Sequence, residues 1–228
     1  VLCMLVPLLV TALFTTISVY RNLETTTNQN LVQLSTEKMN QVEAIIQNQI
    51  ALTKAVADSP YIAETVAEEY NAGRLNDKEN TAIQNYLGEI FENAAGMYEN
   101  FFVTCGTEGI ADGLGGATLH DVTGEPWYDS CVAEGEFMGN NISPVTGRPV
   151  YVISYAIKDP KSNKPVGGLN NSIDLAAMTA TVISSIQTEG MHALIVDAEG
   201  NVIASENADY ILQVNFNEEN ESTAATMA

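Results

Sequence analysis

Residues 149–157, PVYVISYAI, and residues 166–174, VGGLNNSID, decide the fold of this chain. Both segments are short, rich in aromatic or β-branched residues and bounded by turn-forming residues, which is typical of β-strands. The polar stretch between them, residues 159–164 (DPKSNK), suits a hairpin loop. The sequence therefore predicts an antiparallel strand pair within a sheet.

More strands are predicted before and after this pair. Residues 97–105, MYENFFVTC, have the same composition. A helix over 175–187 is followed by a second strand pair, 191–197 and 201–205. The tail after residue 216 has too few apolar residues to hold itself in place.

Helices come before the strands. Residues 22–58 contain no Gly or Pro, and their apolar residues recur at steps of three and four, which predicts one long amphipathic stalk helix. A helix over 60–72 follows, with Ser59 as its N-cap and Pro60 in its first turn. A further helix is predicted over 77–94.

The first twenty residues carry no charge, and their length as a helix matches the thickness of a bilayer core. Tyr20 and Arg21 follow where an aromatic ring and a cation suit the membrane interface. A cleaved signal peptide is the alternative, but it would need a shorter apolar run and a small-residue cleavage site. We therefore expect a transmembrane helix over 1–21 and contact with the lipid bilayer through residues 1–20.

Composition excludes several classes of function. The 228 residues include 29 acidic and nine basic side chains, a formal net charge of −20, which argues against a nucleic-acid partner. Cys105 and Cys131 could form a disulfide, which their spacing does not decide. His120 and His192 are isolated from other ligand types, so neither a metal site nor a cofactor is expected.

The sequence also lacks the motifs of a catalytic site. No Gly-x-Ser-x-Gly turn occurs, and His120 and Asp121 are neighbours along the backbone, which rarely face one another. Gly113–Gly116 lacks the lysine and the strand-turn-helix context of a phosphate loop, so it is interpreted as a flexible loop over a pocket. We expect no enzymatic activity and no catalytic residue.

These elements predict an α+β fold in which a PAS-like antiparallel sheet packs against the stalk helix. Their order resembles the double Cache (dCache) family of extracytoplasmic sensor domains in bacterial chemoreceptors and sensor kinases. The motifs that carry the resemblance are residues 101–106 (FFVTCG), 125–128 (EPWY), 143–147 (SPVTG), 149–154 (PVYVIS), 166–168 (VGG) and 173–175 (IDL).

The resemblance implies a domain organisation. Residues 1–21 would form the transmembrane helix and 22–58 the stalk. Residues 59–189 would form the membrane-distal, ligand-binding Cache module. Residues 190–228 would begin a membrane-proximal Cache module that is truncated and ends in a flexible tail.

The resemblance also implies a binding site in which Trp127 and Tyr128 line the pocket and Asp174 receives a ligand amine. From the residues alone, Trp127 could equally be a core aromatic, Asp174 a helix N-cap and Glu125 an exposed loop residue. The predicted ligand-binding set is Trp127, Tyr128, Asp174, Tyr151, Ser143 and Glu125.

The chain departs from the amino-acid-binding members of that family at two positions. Glu125 stands where those members carry an arginine that grips the ligand carboxylate, and Ser143 stands where they carry an aspartate. A carboxylate facing a carboxylate is repulsive, so an amine or another small polar metabolite is the expected ligand.

The expected function is small-molecule sensing at the cell membrane by a methyl-accepting chemotaxis protein, a homodimer through its stalk helix. The alternatives are the sensor region of a histidine kinase or a diguanylate cyclase, and a membrane-anchored, pilin-like surface protein. Pilins carry a glutamate near the start of their apolar helix, whereas the first acidic residue here is Glu24, which disfavours that alternative.

Overall fold

The structure, a computed structural model, describes residues 2–73, 77–183, 186 and 192–218. For residues 2–13 and 77–79 it describes the backbone alone. The chain divides into two compact units, Val1–Ala44 and Ile45–Ala228. Helix α1, Leu2–Ala57, forms the described part of the first unit, and its last turns belong to the second. The long helix predicted over 22–58 is confirmed.

In the first unit, α1 carries many exposed apolar side chains. Phe14 is 72% exposed and Tyr20 is 69% exposed. The predicted membrane segment is helical from Leu2 onward, while Val1 lies outside the described residues. Within the described part of the chain, no helix has both the length and the apolar character that a membrane crossing requires.

The second unit is built on a five-stranded antiparallel sheet with the strand order β2-β1-β5-β4-β3. The strands predicted over 97–105, 149–157 and 166–174 are confirmed as β1, β4 and β5, whereas β2 and β3 were not predicted. The strands are β1 (Tyr98–Cys105), β2 (Glu108–Asp112), β3 (Glu136–Ile142), β4 (Pro149–Lys158) and β5 (Pro165–Asp174).

Three helices follow α1 along the chain before β4. Helix α2, Pro60–Ala72, begins as predicted, because the Ser59 side chain accepts a hydrogen bond from the Ile62 backbone N–H. Helix α3, Asp77–Asn93, matches the helix predicted over 77–94. Helix α4, Pro126–Glu134, was not predicted.

After the sheet come α5, Leu175–Val182, and a separate two-stranded sheet of β6, Leu194–Val196, and β7, Val202–Ser205. Helix α5 was predicted to reach residue 187, but residues 184, 185 and 187–191 lie outside the described residues. The same holds for 219–228 of the predicted tail. The assignment of 190–228 to a second Cache module stays a prediction.

The two faces of the five-stranded sheet have different coverings. One face, here called the helix face, carries Phe101 on β1, Ile153 on β4 and Asn171 on β5, which are paired in register and fully buried. Asn171 contacts Thr53, so the end of α1 covers this face. The opposite face, here called the cavity face, carries the buried side chains Phe102, Val150 and Val152, which pack with Trp127 and Tyr128 of α4.

Two cysteines lie close to this core as free thiols. Burial raises the pKa of Cys105 to about 11 and that of Cys131 to about 12. Both thiols are therefore protonated near neutral pH and are poor nucleophiles there.

Candidate ligand-binding site

A break in the β1–β5 pairing shapes the cavity face. Tyr98 pairs with Ile173 and Asn100 pairs with Ser172, so Glu99 is an extra residue on β1. Such a bulge re-aims side chains that would otherwise alternate between the two faces. As a result, the adjacent residues Glu99 and Asn100 both line the same cavity.

This cavity is small and mixed in character. Its volume is about 20 Å³, which is space for roughly one water molecule. Three rings line it, those of Phe102, His120 and Trp127, together with the apolar side chains of Val150 and Val152. Its polar lining residues are Glu99, Asn100, Asn141, Ser143 and Ser172.

Trp127 is held in place by its own helix start. Helix α4 begins with Pro126 at its first position, where the missing N–H costs nothing, and Trp127 follows directly. The Trp127 ring stands edge-on to Phe102 with ring centroids 6.3 Å apart, and its Nε1–H donates to Glu125 Oε2 over 3.1 Å. Trp127 is thus both a core aromatic and a wall of the cavity.

Glu99 and Ser143 meet on the cavity wall. Glu99 is 6% exposed, and its Oε1 accepts hydrogen bonds from the Ser143 hydroxyl at 2.8 Å and the Thr146 hydroxyl at 2.9 Å. The Ser143 Oγ in turn accepts from the backbone N–H groups of Val145 and Thr146. The turn at 143–147 is therefore fastened to a buried carboxylate.

His120 is positioned by a loop that closes around Asp112. The Asp112 carboxylate accepts hydrogen bonds from the backbone N–H groups of Leu114, Gly116 and Thr118 and from the Thr118 hydroxyl. Thr118 O contacts His120 Nδ1 at 2.9 Å, while His120 Nε2 is buried without a hydrogen-bond partner in the described structure. One carboxylate therefore binds backbone groups along the loop that contains Gly113–Gly116, and the flexibility of this loop stays a prediction.

The electrostatics of Asp112 follow from these bonds. Burial acts to raise the pKa of Asp112, but the hydrogen bonds from Thr118, Gly116 and Gln84 outweigh it. The pKa therefore lies below its ordinary value, and the carboxylate is ionised near neutral pH.

The family of the chain is shown by its match to a model of a known protein family. The family model described as Cache domain, dCache_1, matches residues 19–226. The chain belongs to the Cache domain family. A search among curated protein sequences finds no match.

Solved structures share the fold of this Cache domain at low sequence identity. The sensor domain of the Vibrio cholerae histidine kinase DctB superposes with a TM-score of 0.65 at 12% identity, over 88% of this chain and 74% of that one. The ligand-binding domain of the Campylobacter jejuni chemoreceptor Tlp3 in complex with L-valine has a TM-score of 0.59 at 16% identity, over 83% and 75%. That of the Pseudomonas aeruginosa chemoreceptor PctC in complex with GABA has a TM-score of 0.57 at 13% identity, over 82% and 80%.

The structure brings Trp127 and Ser143 to one cavity but places Asp174 elsewhere. Asp174 is the N-cap of α5, where its Oδ1 accepts from the backbone N–H groups of Ala176 and Ala177. Its Oδ2 accepts a hydrogen bond from the Arg148 guanidinium. Asp174 was expected either to receive a ligand amine or to cap a helix. Its contacts are those of a helix cap, and Asp174 does not line the cavity.

The other three predicted residues also lie outside the cavity lining. Tyr128 points toward the strand ends, where its hydroxyl donates to Gly106 O and accepts from Thr104. Tyr151 alternates with Val150 and Val152 along β4, so its side chain faces away from the cavity. Glu125 acts on the cavity only through its bond to Trp127.

Three residues of the cavity were missed in the sequence: Glu99, Asn100 and His120. A signal existed for Glu99, because an acidic residue within a strand as apolar as YENFFVTC is unusual in a buried position. The bulge that turns it toward the cavity depends on pairing with β5, which the residues of β1 alone do not reveal.

Proposed function

We propose that this Cache domain is the extracytoplasmic sensor region of a bacterial methyl-accepting chemotaxis protein, and that it binds a small polar metabolite or amine. The observation that carries the proposal is the cavity between Trp127 and Glu99, where the buried His120 Nε2 has no partner in the described structure. Buried polar atoms are normally paired, so an unpaired one beside a cavity marks a place for a ligand. The proposal includes no catalytic step.

Family relatives support the proposal. The C. jejuni Tlp3 and P. aeruginosa PctC structures are ligand-binding domains of chemoreceptors, in complex with L-valine and GABA respectively. A histidine kinase output is the second candidate, because the V. cholerae structure is the sensor domain of a histidine kinase. Assays of directed swimming distinguish the two outputs, since a chemoreceptor directs motility toward or away from its ligand.

We further propose that residues 1–20 anchor the domain in the cell membrane. These residues contain no charged side chain, and Tyr20 and Arg21 follow them. Carbonate extraction of membranes that contain the full chain tests this anchoring. Recovery of the chain in the soluble fraction would contradict it.

Signal transfer is proposed to run through α1 within a homodimer. The route from the cavity to α1 is short, because Ser172 on the cavity face and Asn171 on the helix face are adjacent in β5. Asn171 Nδ2 donates to Thr53 Oγ1 of α1 over 3.1 Å. If α1 has two positions, a ligand can shift the equilibrium between them only when it binds the domain more tightly in one position than in the other.

Thermal-shift screening of the full chain against amines, carboxylates, amino acids and nucleobases tests the sensing function. A compound present at about 100 times its Kd stabilises the folded state by about 2.7 kcal/mol, which gives a clear rise in Tm. The Tm of the Trp127→Leu variant should be the same with and without the compound. Tyr61→Leu, which changes a 46% exposed ring on α2, should retain it. A failure of every class to stabilise the folded chain would contradict the proposal.

A further inference from the structure

We propose that the cavity selects a primary or secondary ammonium ion whose molecule lacks a carboxylate, and that Glu99 is its counter-ion. The inference rests on the proposed function, because it names the chemical class that the same site takes. It moves the amine-binding role from Asp174 to Glu99.

Glu99 is a buried acidic side chain without a cationic partner among the described residues. Glu99 is 6% exposed, and the hydrogen bonds it receives come from the neutral hydroxyls of Ser143 and Thr146. Within the described residues, no Lys or Arg forms an ion pair with it. A buried carboxylate without a positive partner is unfavourable, and a ligand ammonium would supply that partner.

His120, which also lines the cavity, supplies a second hydrogen-bond acceptor. The carbonyl oxygen of Thr118 can only accept, so the contact with His120 Nδ1 requires the proton on Nδ1. In the neutral ring His120 Nε2 is then an acceptor, and it is buried without a partner in the described structure. Two acceptors, Glu99 and His120 Nε2, suit a ligand nitrogen with at least two N–H groups, which a quaternary ammonium lacks.

The lining of the cavity does not suit a ligand carboxylate. The described residues that line the cavity include neither Lys nor Arg. Arg148, in the neighbouring turn, is paired with Asp174, and its side chain is 53% exposed. A carboxylate in the cavity would face Glu99 without a compensating cation, so α-amino acids are disfavoured.

The aromatic walls and the net charge favour the same class. The rings of Trp127 and Phe102 border the cavity, and aromatic faces attract cations. The formal net charge of −20 raises the local concentration of cations and lowers that of anions. With a volume of about 20 Å³, the cavity has space for roughly one water molecule, so the ligand must be small and the cavity must widen to admit it.

Four probes that differ by one group each test the inference on the full chain by isothermal titration calorimetry. Ethanolamine carries the primary ammonium, ethylene glycol replaces it with a hydroxyl, choline methylates it fully, and L-serine adds a carboxylate. We expect ethanolamine to bind at least about 10-fold more tightly than each of the other three. Equal or weaker binding of ethanolamine, or none, would overturn the inference.

A variant pair assigns the effect to Glu99. Glu99→Gln removes the charge at nearly constant size and should weaken ethanolamine binding at least about 30-fold. Glu64→Gln changes an exposed carboxylate on α2 by the same chemistry and should bind as the unmodified chain does. Retained ethanolamine affinity in a folded Glu99→Gln would refute the role of Glu99. If that variant does not fold, the four-probe series in the unmodified chain still decides the ligand class.

The two proposals fail in distinguishable ways. If ethanolamine does not bind but a carboxylate, amino acid or nucleobase stabilises the chain, the ammonium inference is wrong and the sensing function stands. If no compound of any class binds the folded chain, both are wrong.

Discussion

The two faces of the five-stranded sheet both bury polar side chains, but α1 covers one face, whereas the cavity lined by Glu99 and Trp127 opens on the other. On the helix face, Asn171 donates to Thr53 Oγ1 at 3.1 Å and to Gln49 Oε1 at 3.3 Å, and Tyr98 also donates to Gln49. Among the described residues, Asn171 Oδ1 on the helix face is buried without a partner, and so are His120 Nε2, Ser154 Oγ and Asn170 Oδ1 on the cavity side. One face of the sheet is thus a closed interface, and the other is suited to a ligand.

The largest expected effect comes from two adjacent rings on opposite faces. Phe101→Ala should lower the free energy of unfolding by about 3–5 kcal/mol, because Phe101 is fully buried against Tyr98 and α1 closes the helix face. Phe102→Ala should cost about 2–3 kcal/mol, since its neighbours can move into the adjoining cavity and water can enter it. Urea unfolding of the two variants measures both values.

The ring pair provides its own control, since Phe101 and Phe102 are the same residue type on one strand. Phe102→Ala should change the emission of Trp127, the sole tryptophan, because the two rings are in contact. A larger loss of stability for Phe102→Ala than for Phe101→Ala would break the distinction between a closed and an adaptable face.

A smaller effect is expected from the polar neighbours on β5. Asn171→Ala should cost about 1–2 kcal/mol, because it removes the two hydrogen bonds that Asn171 donates to Thr53 and Gln49 beneath α1. Ser172→Ala, one residue further on and facing the cavity, should stay within about 0.5 kcal/mol of the unmodified chain. Urea midpoints at equal slope test the pair, and equal losses would count against the comparison.

The difference between the faces also explains what could be predicted from the sequence. Residues 149–157 and 166–174 were recognised as strands because they are buried on both faces, which enriches β-branched and aromatic residues. Strand β3, EFMGNNI, lies at the sheet edge and is only partly buried along its length, so it lacks the run of buried residues found in β4 and β5. Its pairing with β4 across all seven residues therefore had no local signal.

Helix α4 is a different case, because its signals were present in the sequence. Pro126 stands at its first position, and Gly135 ends it with a φ of 98°. The intervening WYDSCVAE has little helical periodicity, so these end signals were outweighed. Of the six predicted site residues, Trp127 and Ser143 reach the cavity. Asp174, two residues along β5 from the cavity-lining Ser172, is instead held by α5 and Arg148.

The smallest expected effect is a loss of packing on the cavity face at acid pH. The cavity face depends on the ionised Asp112, which accepts a hydrogen bond from the Thr118 hydroxyl. Thr118 in turn contacts two cavity residues: its carbonyl oxygen contacts His120 Nδ1, and its Oγ1 accepts from Asn100 Nδ2. Because hydrogen bonds lower the pKa of Asp112 in the folded state against the opposing effect of burial, its stabilisation is complete above the unfolded pKa. It is lost as the pH falls below about 4 and through the folded pKa. The contacts of Asn171 on the helix face involve neutral groups and lack this dependence.

Acid titration should therefore affect the cavity face first. Trp127 emission reports on that face and far-UV circular dichroism on the whole chain, so the emission change should come at a higher pH than the loss of secondary structure. Asp112→Asn should shift the midpoint of the emission change. Asp159→Asn serves as the control, because hydrogen bonds from Lys161 and Ser162 also lower the pKa of this hairpin carboxylate. It should leave the emission midpoint unchanged. Coincident transitions in the unmodified chain would mean that the two faces lose their packing together, and the cavity face would then be no more adaptable than the helix face.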